Sequence, residues 1–280
     1  MKEKVTIIGA GGKMGMRITN NLMNSTEYVV SYCEKSEEGI NKLKAKGLKV
    51  EPKENIVPDS DFVIMAVPDA LLSKVTADIV PMMKKESTAI LLDPAAPTAG
   101  EIFLRDDITF VVCHPCHPPL FGKQDTDDAR NDFFGGIAAK QDIVIGLLQG
   151  KEENFKKAEE LCKTMFKPVV KAHRITVEQM AILEPAMAEV VAATCAVIMK
   201  EALDMAVKKG VPEEAAKSFM LGHAQIPLAI VFGAISSPFS DAAKIAIEYG
   251  KKNIIKKDWK KVFEKKYIKK CIYKMLHPGK

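Results

Sequence analysis

The amino-acid sequence predicts an α/β domain with a parallel, doubly wound sheet, followed by an all-helical domain. Near the N-terminus, a short β-branched strand enters a glycine-rich turn at residues 9–15, and a helix follows it. Strands and helices then alternate with a repeat of about 25–30 residues, which is typical of parallel sheets. From residue 175 onwards the strand pattern stops. We therefore predict two domains, covering residues 1–170 and 171–280.

The glycine-rich turn departs by one residue from the spacing G-x-G-x-x-G, because the third glycine is displaced to position 15. A strand, a glycine turn and a helix form the phosphate-binding start of a Rossmann domain, where a pyrophosphate lies on backbone N–H groups at the helix N-terminus. The alternative, a glycine-rich turn without a ligand, is disfavoured by this context. The predicted cofactor-binding residues in the turn are Gly9, Gly11, Gly12, Lys13, Met14 and Gly15.

The second predicted strand spans residues 28–33 and ends at Glu34. An acidic residue at this offset usually binds the ribose hydroxyls of NAD, and it would repel the extra phosphate of NADP. The neighbouring Lys35 and Ser36 could hold a phosphate, so NADP stays open. A simple capping role in a surface turn is the alternative for Glu34. We predict NAD as the cofactor.

The following elements alternate as a doubly wound sheet requires. The fourth strand, at residues 61–67, is a continuous apolar run that suits burial on both faces. Val67 and Pro68 end it at the carboxyl edge of the sheet, where ligands bind, and both are included in the predicted cofactor site. The other predicted elements are a helix at 40–46, a strand at 49–50, a helix at 71–83, strands at 89–93, 108–113, 133–136 and 142–146, a helix at 152–166 and a strand at 167–170.

The sixth strand runs into the segment Cys-His-Pro-Cys-His-Pro-Pro at residues 113–119. Its cysteines could form a redox pair, but such pairs usually open a helix, and prolines crowd this segment. A structural zinc site would need a second ligand pair, which the sequence does not offer. The histidines could also be loop residues without a chemical role. We favour a fourth interpretation, in which His114 and His117 act in the cofactor cleft as base, acid or ligand.

A long helix is predicted from a capping box at Thr176 and Gln179 to Gly210. From residue 186 to 199 it is apolar nearly all round, and such a helix is normally buried nearly all round. A helical domain of this size cannot cover it alone, so we predict a homodimer. Pro185 should kink the helix. It follows Glu184, a carboxylate in apolar company that needs a partner or a proton, unless it points to solvent.

Composition narrows the protein class. Hydrophobic residues make up 47% of 280 residues, and no stretch reaches the ~20 apolar residues of a membrane span. The chain starts directly with a strand, and its six cysteines lack a disulfide spacing, so we expect no signal peptide and a cytoplasmic protein. Lysines concentrate in residues 251–280, but apolar residues recur there at helical spacing. This predicts an amphipathic helix packed on its own protein, with no nucleic-acid or membrane partner.

Over essentially its whole length, the chain resembles the D-apionate oxidoisomerase family, which carries a phosphogluconate-dehydrogenase-type C-terminal domain. Its first half is also similar to β-hydroxyacid and prephenate dehydrogenases. The segments that carry the resemblance are residues 114–121, Leu183-Glu184-Pro185-Ala186, Gly222-His223, Phe239-Ser240-Asp241 and Asp258-Trp259. The resemblance implies NAD-dependent oxidation of a branched sugar acid, followed by an α-ketol-type shift like that of ketol-acid reductoisomerases.

One departure limits what can be carried over. β-Hydroxyacid dehydrogenases have a catalytic lysine early in the long helix, but this chain has no lysine between Arg174 and Lys200. Glu184 occupies that region, and His114 lies where prephenate dehydrogenases keep a catalytic histidine. We predict that these two side chains converge on a small carboxylate substrate. Either they share a divalent metal such as zinc, or His114 is the base and Glu184 holds the substrate.

Three further expectations stay open at this stage. His117 is a weaker candidate, because three residues further along a proline-rich loop its side chain could face elsewhere. A plain or decarboxylating β-hydroxyacid dehydrogenase is the alternative enzyme. A non-catalytic regulator that senses the redox state of NAD is the alternative of another class, which would need neither histidine nor the carboxylate.

Overall fold

The computed structural model describes residues 2–279, and the chain divides into two compact units. The first comprises residues 2–182 and 269–279, and the second comprises residues 183–268. The first unit therefore extends past the predicted boundary at residue 170 and also includes residues 269–279.

Seven strands form a single sheet in the first unit. They are β1 (Glu3–Ile8), β2 (Tyr28–Cys33), β3 (Phe62–Met65), β4 (Thr88–Leu91), β5 (Thr109–His117), β6 (Gln141–Gln149) and β7 (Val169–Arg174). Their spatial order is β2-β1-β3-β4-β5-β6-β7. All neighbours pair in parallel except β5 and β6, which are antiparallel. The predicted Rossmann architecture is confirmed, with its last two strands reversed.

Helices cover the sheet of the first unit, and α2, α6 and α8 begin at side-chain caps. The Ser36 and Thr126 side chains accept hydrogen bonds from the first turns of α2 and α6. The helices are α1 (Lys13–Leu22), α2 (Glu37–Ala45), α3 (Lys53–Ile56), α4 (Asp69–Ile79), α5 (Ala95–Ala99), α6 (Asp127–Asn131), α7 (Glu152–Met165) and α8 (Val177–Ala181), with 3₁₀ turns at Val57–Asp59 and Val80–Met82.

The core of this unit lies on both faces of the central strands. Every residue of β3 and β4 is buried, as expected for parallel strands covered by helices on both sides. Phe110 of β5 and Phe155 of α7 are among the largest fully buried side chains. Each such side chain contributes roughly 1.5–3 kcal/mol on burial, so the sheet is a firm platform for the loops at its edge.

Three strand predictions need correction. Val50 forms only an isolated bridge with Tyr32, so the predicted third strand is absent from residues 49–50. Residues 133–136 form a turn, because Gly135 and Gly136 adopt left-handed backbone conformations with φ of +70° and +78°. The strand predicted at residues 108–113 is β5 of the structure. It continues to His117 and carries both histidines of the Cys-His-Pro-Cys-His segment.

The second unit is helical, as predicted. Thr176 and Gln179 form the expected capping box at the start of α8. Pro185 lies within a π-helical segment, Ile182–Ala193, so the helix departs from regular α-helical geometry where the kink is predicted. The chain then forms α9 (Thr194–Lys208), α10 (Glu213–Val231), α11 (Asp241–Ile254), a 3₁₀ turn at Trp259–Phe263 and α12 (Lys265–Leu276).

The shift of the boundary has a physical cause. Strand β7 pairs with β6, and α8 contacts β6, so both belong to the first unit. At the chain end, His277 Nε2 lies 3.1 Å from Glu101 Oε1, and Ile272 and Leu276 of α12 are buried. These contacts tie residues 269–279 to the first unit.

The helix that runs from Val177 to Lys208 is 32 residues long, and by length and composition alone it could cross a membrane. The prediction that no stretch reaches this threshold was therefore wrong. Core helices of soluble proteins pass the same test. Only 11% of its apolar window is buried, so most of this surface is exposed in the single chain.

Candidate functional site

The glycine turn is packed so tightly that three of its glycines have no room for a side chain. A Cβ on Gly9, whose φ is +77°, would lie 2.5 Å from the Ala66 carbonyl oxygen. A Cβ on Gly15 would lie 2.0 Å from the Gly9 carbonyl oxygen. A Cβ on Gly11 would lie 2.4 Å from the Cα atom of a glycine in α2. The Gly15 contact holds the start of α1 against the turn, and the other two contacts bring the end of β3 and helix α2 close to it.

Gly12 is less crowded than the other three glycines. The atom nearest to a Cβ added on Gly12 would be the Gly9 carbonyl oxygen, at 3.3 Å. Gly12 is also the N-cap of α1, and it supplies no side-chain cap for the first turn. The backbone can therefore approach a ligand closely there, and a helix N-terminus favours an anion. This cradle fits a pyrophosphate.

A cleft of about 490 Å³ opens beside this turn, within the size range of small-molecule sites. Five predicted cofactor residues line it, namely Gly9, Gly12, Glu34, Val67 and Pro68. Gly11 and Gly15 do not line it and instead shape the turn. Met14 packs against the core, and Lys13 Nζ lies 3.9 Å from the centre of the Phe134 ring. The apolar part of the wall includes Leu71, Val75 and Ile79 of α4.

Glu34 joins the wall of the cleft to the glycine turn. Its Oε2 accepts a hydrogen bond from Gly11 N–H at 2.9 Å. Its Oε1 accepts from Lys35 N–H at 2.8 Å and from Ser36 N–H at 2.9 Å. Burial alone would raise the pKa of Glu34, but these hydrogen bonds outweigh it and lower the pKa. The carboxylate is therefore ionised at neutral pH and holds the turn as well as facing the cleft.

His114 lies near the end of β5, and its hydrogen bond fixes its tautomer. Its Nδ1 is 2.8 Å from the Leu92 carbonyl oxygen, which can only accept, so Nδ1 carries the proton. In the neutral ring, Nε2 is then the proton acceptor. The ring is half-buried at the carboxyl edge of the sheet, where such folds bind ligands. This arrangement suits a general base.

His117 lies beside His114 in the structure. The two ring centres are 6.0 Å apart, and the ring planes are nearly perpendicular. Residues three apart on a regular strand point to opposite faces. Here a register shift between Pro115 and His117, with His117 in a left-handed conformation at φ +62°, turns the second ring back. His117 Nδ1 lies 2.9 Å from the Phe134 carbonyl oxygen, which fixes the same tautomer as in His114.

The turn at residues 133–136 belongs to this site, although sequence reasoning missed it. The Phe134 carbonyl oxygen accepts the hydrogen bond from His117, and the Phe134 ring makes a cation–π contact with Lys13. Arg17 anchors the turn from α1, since its guanidinium bonds the Gly135 carbonyl and lies 3.3 Å from Asp132 Oδ1. The two phenylalanines favour a strand by their residue type, and only the glycine pair after them signals a turn.

Asp132 is the buried support of this turn. One of its oxygens accepts hydrogen bonds from the backbone N–H groups of residues 137, 138 and 139, at 2.9–3.3 Å. Burial acts to raise the pKa of Asp132, and the hydrogen bonds reverse this and lower it. The turn is thereby fixed beside the histidines.

The two cysteines of the segment are not placed as a redox pair. Cys113 is fully buried, and burial raises the pKa of its thiol well above the usual value, which makes it unreactive. Cys116 is exposed. Both lie within β5 and not at the start of a helix, so the segment differs from a thioredoxin-type motif.

Glu184 belongs to the second unit, where it lies half-buried in the π-helical segment next to Pro185. Within residues 2–279, no group of three or more His, Cys, Asp or Glu side chains could hold a metal ion. His114 lies in the first unit and Glu184 in the second, and a metal shared by the two stays a prediction.

Two family models together match nearly the whole chain. "Acetohydroxy acid isomeroreductase, NADPH-binding domain" matches residues 1–118, which include the glycine turn and both histidines. "Phosphogluconate dehydrogenase (decarboxylating) C-term" matches residues 122–276, which include the turn at 133–136 and the helices of the second unit.

Individual relatives match over similar lengths. A protein named D-apionate oxidoisomerase from Cupriavidus necator is 45% identical over 97% of this chain and 99% of its own length. One of the same name from Blautia hydrogenotrophica is 46% identical over 100% of this chain and 98% of its own. A crystal structure of a "Semialdehyde dehydrogenase NAD-binding Protein" from Cupriavidus necator, in complex with calcium and NAD, is 44% identical with a TM-score of 0.95. It covers 98% of this chain, and this chain covers all of it.

Proposed function

Because this chain belongs to the D-apionate oxidoisomerase family and is an NAD-dependent oxidoreductase, we propose that it oxidises a small hydroxylated carboxylate of the sugar-acid type and then isomerises the product. The names of the relatives support the substrate class. The observation in this chain that carries the proposal is the pair His114 and His117, both with Nδ1 as the donor. A redox sensor without catalysis would need no such pair.

The first chemical step can be derived from the tautomers. Bound NAD supplies a hydride acceptor. His114 Nε2 takes the hydroxyl proton of the substrate as the carbon is oxidised, and the Leu92 carbonyl stabilises the ring as it becomes a cation. His117 holds a second substrate oxygen or shares the proton. The isomerisation then requires a polarised carbonyl with an adjacent oxygen.

The test is incubation of the full chain with NAD and a panel of sugar acids that includes D-apionate. NADH absorbance reports oxidation, and the mass of the product shows whether carbon is retained or lost after it. NADH together with a product that keeps all substrate carbons supports an oxidoisomerase. Loss of carbon dioxide would favour a decarboxylating dehydrogenase, the second candidate, which the phosphogluconate dehydrogenase model supports. NADH binding without turnover on any acid would favour the sensor.

Glu184 is proposed to act in the same reaction, either by holding the substrate or as a metal ligand. Glu184→Gln keeps nearly the same volume and removes the charge. It should abolish turnover and leave NADH binding close to wild type. Near-normal turnover of this variant would make the carboxylate structural. A nearby Glu189→Gln substitution, also in the π-helical segment, provides the matched control.

A divalent metal is proposed as an aid to the isomerisation, because it polarises a carbonyl well. The similar protein from Cupriavidus necator was crystallised in complex with calcium and NAD. Activity should then fall with a chelator and recover with added metal. Activity that is unchanged by the chelator would mean that the histidines act without a metal.

We also propose that NAD is preferred over NADP, since the ionised Glu34 would repel a 2′-phosphate. Calorimetric titration with NADH and NADPH decides this. Tighter binding of NADPH would mean that Lys35 and Ser36 hold the phosphate.

A homodimer is proposed because the second unit exposes many large apolar side chains. On α9, on α10 and at its C-cap these include Val197, Met205, Phe219, Leu221, Val231 and Phe232. Exposed patches of this kind mark an interface. A second copy of the chain would cover them, and sedimentation should show a dimer at micromolar concentration. A stable monomer would contradict this.

The fold of its oxidoreductase relatives suggests a soluble protein, and we propose a cytoplasmic location.

A further inference from the structure

One end of the cofactor cleft carries an unusual set of charges for an NAD site. Three lysines line it there: Lys35 after β2, Lys53 at the start of α3 and Lys74 on α4. Three ammonium groups around one cleft would normally attract a phosphate. One carboxylate of α4, Asp78, lines the cleft among them.

Asp78 is the counter-ion that Lys53 and Lys35 share, and Lys74 precedes it by four residues, one turn, on α4. Lys53 Nζ forms a direct salt bridge with Asp78 Oδ1, and Lys35 Nζ lies 3.9 Å from Asp78 Oδ2. The Lys53 hydrogen bond is the main cause that lowers the pKa of Asp78, with smaller contributions from the charges of Lys35 and Lys74. The same hydrogen bond raises the pKa of Lys53. A second carboxylate, Glu54, lies 3.8 Å from Lys53 but does not line the cleft.

The charged cluster lies at the end of the cleft that would receive the adenosine half of the cofactor. The pyrophosphate cradle at Gly12 and the apolar wall of α4 lie along the same cleft, and Glu34 stands beside Lys35. In this fold the residue at the end of β2 faces the adenosine ribose. Lys35, and Lys53 which shares Asp78 with it, would therefore lie near the 2′-phosphate of a bound NADP.

We propose that Asp78 is a determinant of cofactor specificity, which neutralises Lys53, Lys35 and Lys74 and so prevents them from binding the 2′-phosphate of NADP. This inference rests on the proposed preference for NAD. Glu34 contributes separately, because its carboxylate is held by the backbone of residues 11, 35 and 36 and stays ionised whether or not Asp78 is present.

The experiment is calorimetric titration of Asp78→Asn with NADH and NADPH. The substitution keeps the side-chain shape and frees the three ammonium groups. NADPH should bind on the order of tenfold more tightly than to wild type, the size of effect expected for one partly screened charge. NADH affinity should stay within error. The gain for NADPH should shrink as ionic strength rises, because salt screens exposed charges.

Two further variants make the result specific. Asp59→Asn is the matched control, since Asp59 forms a similar salt bridge with Lys4 but does not line the cleft. It should change neither affinity. Adding Lys53→Gln to Asp78→Asn should remove much of the gain for NADPH. An unchanged NADPH-to-NADH ratio in Asp78→Asn, or an equal loss for both nucleotides, would overturn the inference.

The wild-type titration separates the two claims. Wild-type protein that prefers NADPH would refute the proposed preference for NAD. Wild-type protein that prefers NADH, together with an Asp78→Asn variant of unchanged ratio, would refute only the role of Asp78.

Discussion

Replacing Glu34 by glutamine should weaken both the fold around the glycine turn and the binding of NADH. A glutamine has one acceptor oxygen, and that oxygen can keep the bonds that Oε1 accepts from residues 35 and 36. Its amide nitrogen would then face Gly11 N–H at the 2.9 Å that now separates Oε2 from this donor. Two donors would meet, so the turn must shift or lose a hydrogen bond.

The magnitude can be worked out from the lost interaction. A hydrogen bond to a charged group contributes roughly 1.5–3 kcal/mol, and an unsatisfied donor costs a similar amount. Because Glu34 is only half-buried, we expect Glu34→Gln to lower the free energy of unfolding by about 1–3 kcal/mol. For a unit of this size, each kcal/mol lowers Tm by roughly 2–4 °C. NADH affinity should fall about tenfold, which corresponds to ~1.4 kcal/mol.

The pH dependence provides an independent check. Since the pKa of Glu34 is lowered in the folded protein, its stabilisation is fully present above its usual pKa of 4.5. It is lost as pH falls through the lower folded value. The Tm difference between wild type and Glu34→Gln should therefore be constant near neutral pH and narrow below 4.5. Glu38→Gln, an exposed partner of Lys42 on α2, is the control. A variant with wild-type Tm and wild-type NADH affinity would refute this role.

Three other substitutions, one of them with a matched control, test the surroundings of the site. Gly15→Ala should cost at least ~1–3 kcal/mol and abolish NADH binding, because its Cβ would meet the Gly9 carbonyl at 2.0 Å. Gly250→Ala, where the nearest atom is 4.0 Å away, should be neutral or stabilising in the same thermal melts. Asp132→Asn leaves Arg17 poorly paired and should cost about 3 kcal/mol, seen as a lower Tm and faster proteolysis of residues 133–140; unchanged proteolysis would argue against the anchoring role. His117→Ala should reduce turnover while NADH binding is retained, and full turnover would remove His117 from the site.

The fold could be predicted from the sequence because apolar runs and breaks mark the strands directly. The run at residues 62–65 and the capping box at Thr176 are local signals, and both elements form as predicted. Strand direction is not a local property, so the antiparallel pairing of β6 with β5 could not be predicted from local sequence patterns. The phenylalanines at 133 and 134 have high β propensity, but the two glycines after them adopt left-handed backbone conformations and form a turn.

The site was only partly predictable for a similar reason. The order of strand, glycine turn and helix and the position of Glu34 at the end of the second strand are local signals, and the cleft forms beside them. His117 could not be oriented from the sequence, because a bulge and a left-handed backbone turn its ring towards His114. The Lys53–Asp78 pair and the contact of Phe134 with Lys13 join residues far apart in the chain. Neither leaves a periodic or spacing signal.

The central claim is that His114 is the base in an NAD-dependent oxidation, and His114→Asn tests it most directly. The asparagine nitrogen can still donate to the Leu92 carbonyl, as Nδ1 does at 2.8 Å, while Nε2 is removed. Turnover of the sugar acid, monitored through NADH absorbance, should fall by about 10²–10⁴. NADH affinity and Tm should stay at wild-type values. Turnover close to wild type in a variant that binds NADH normally would contradict the account.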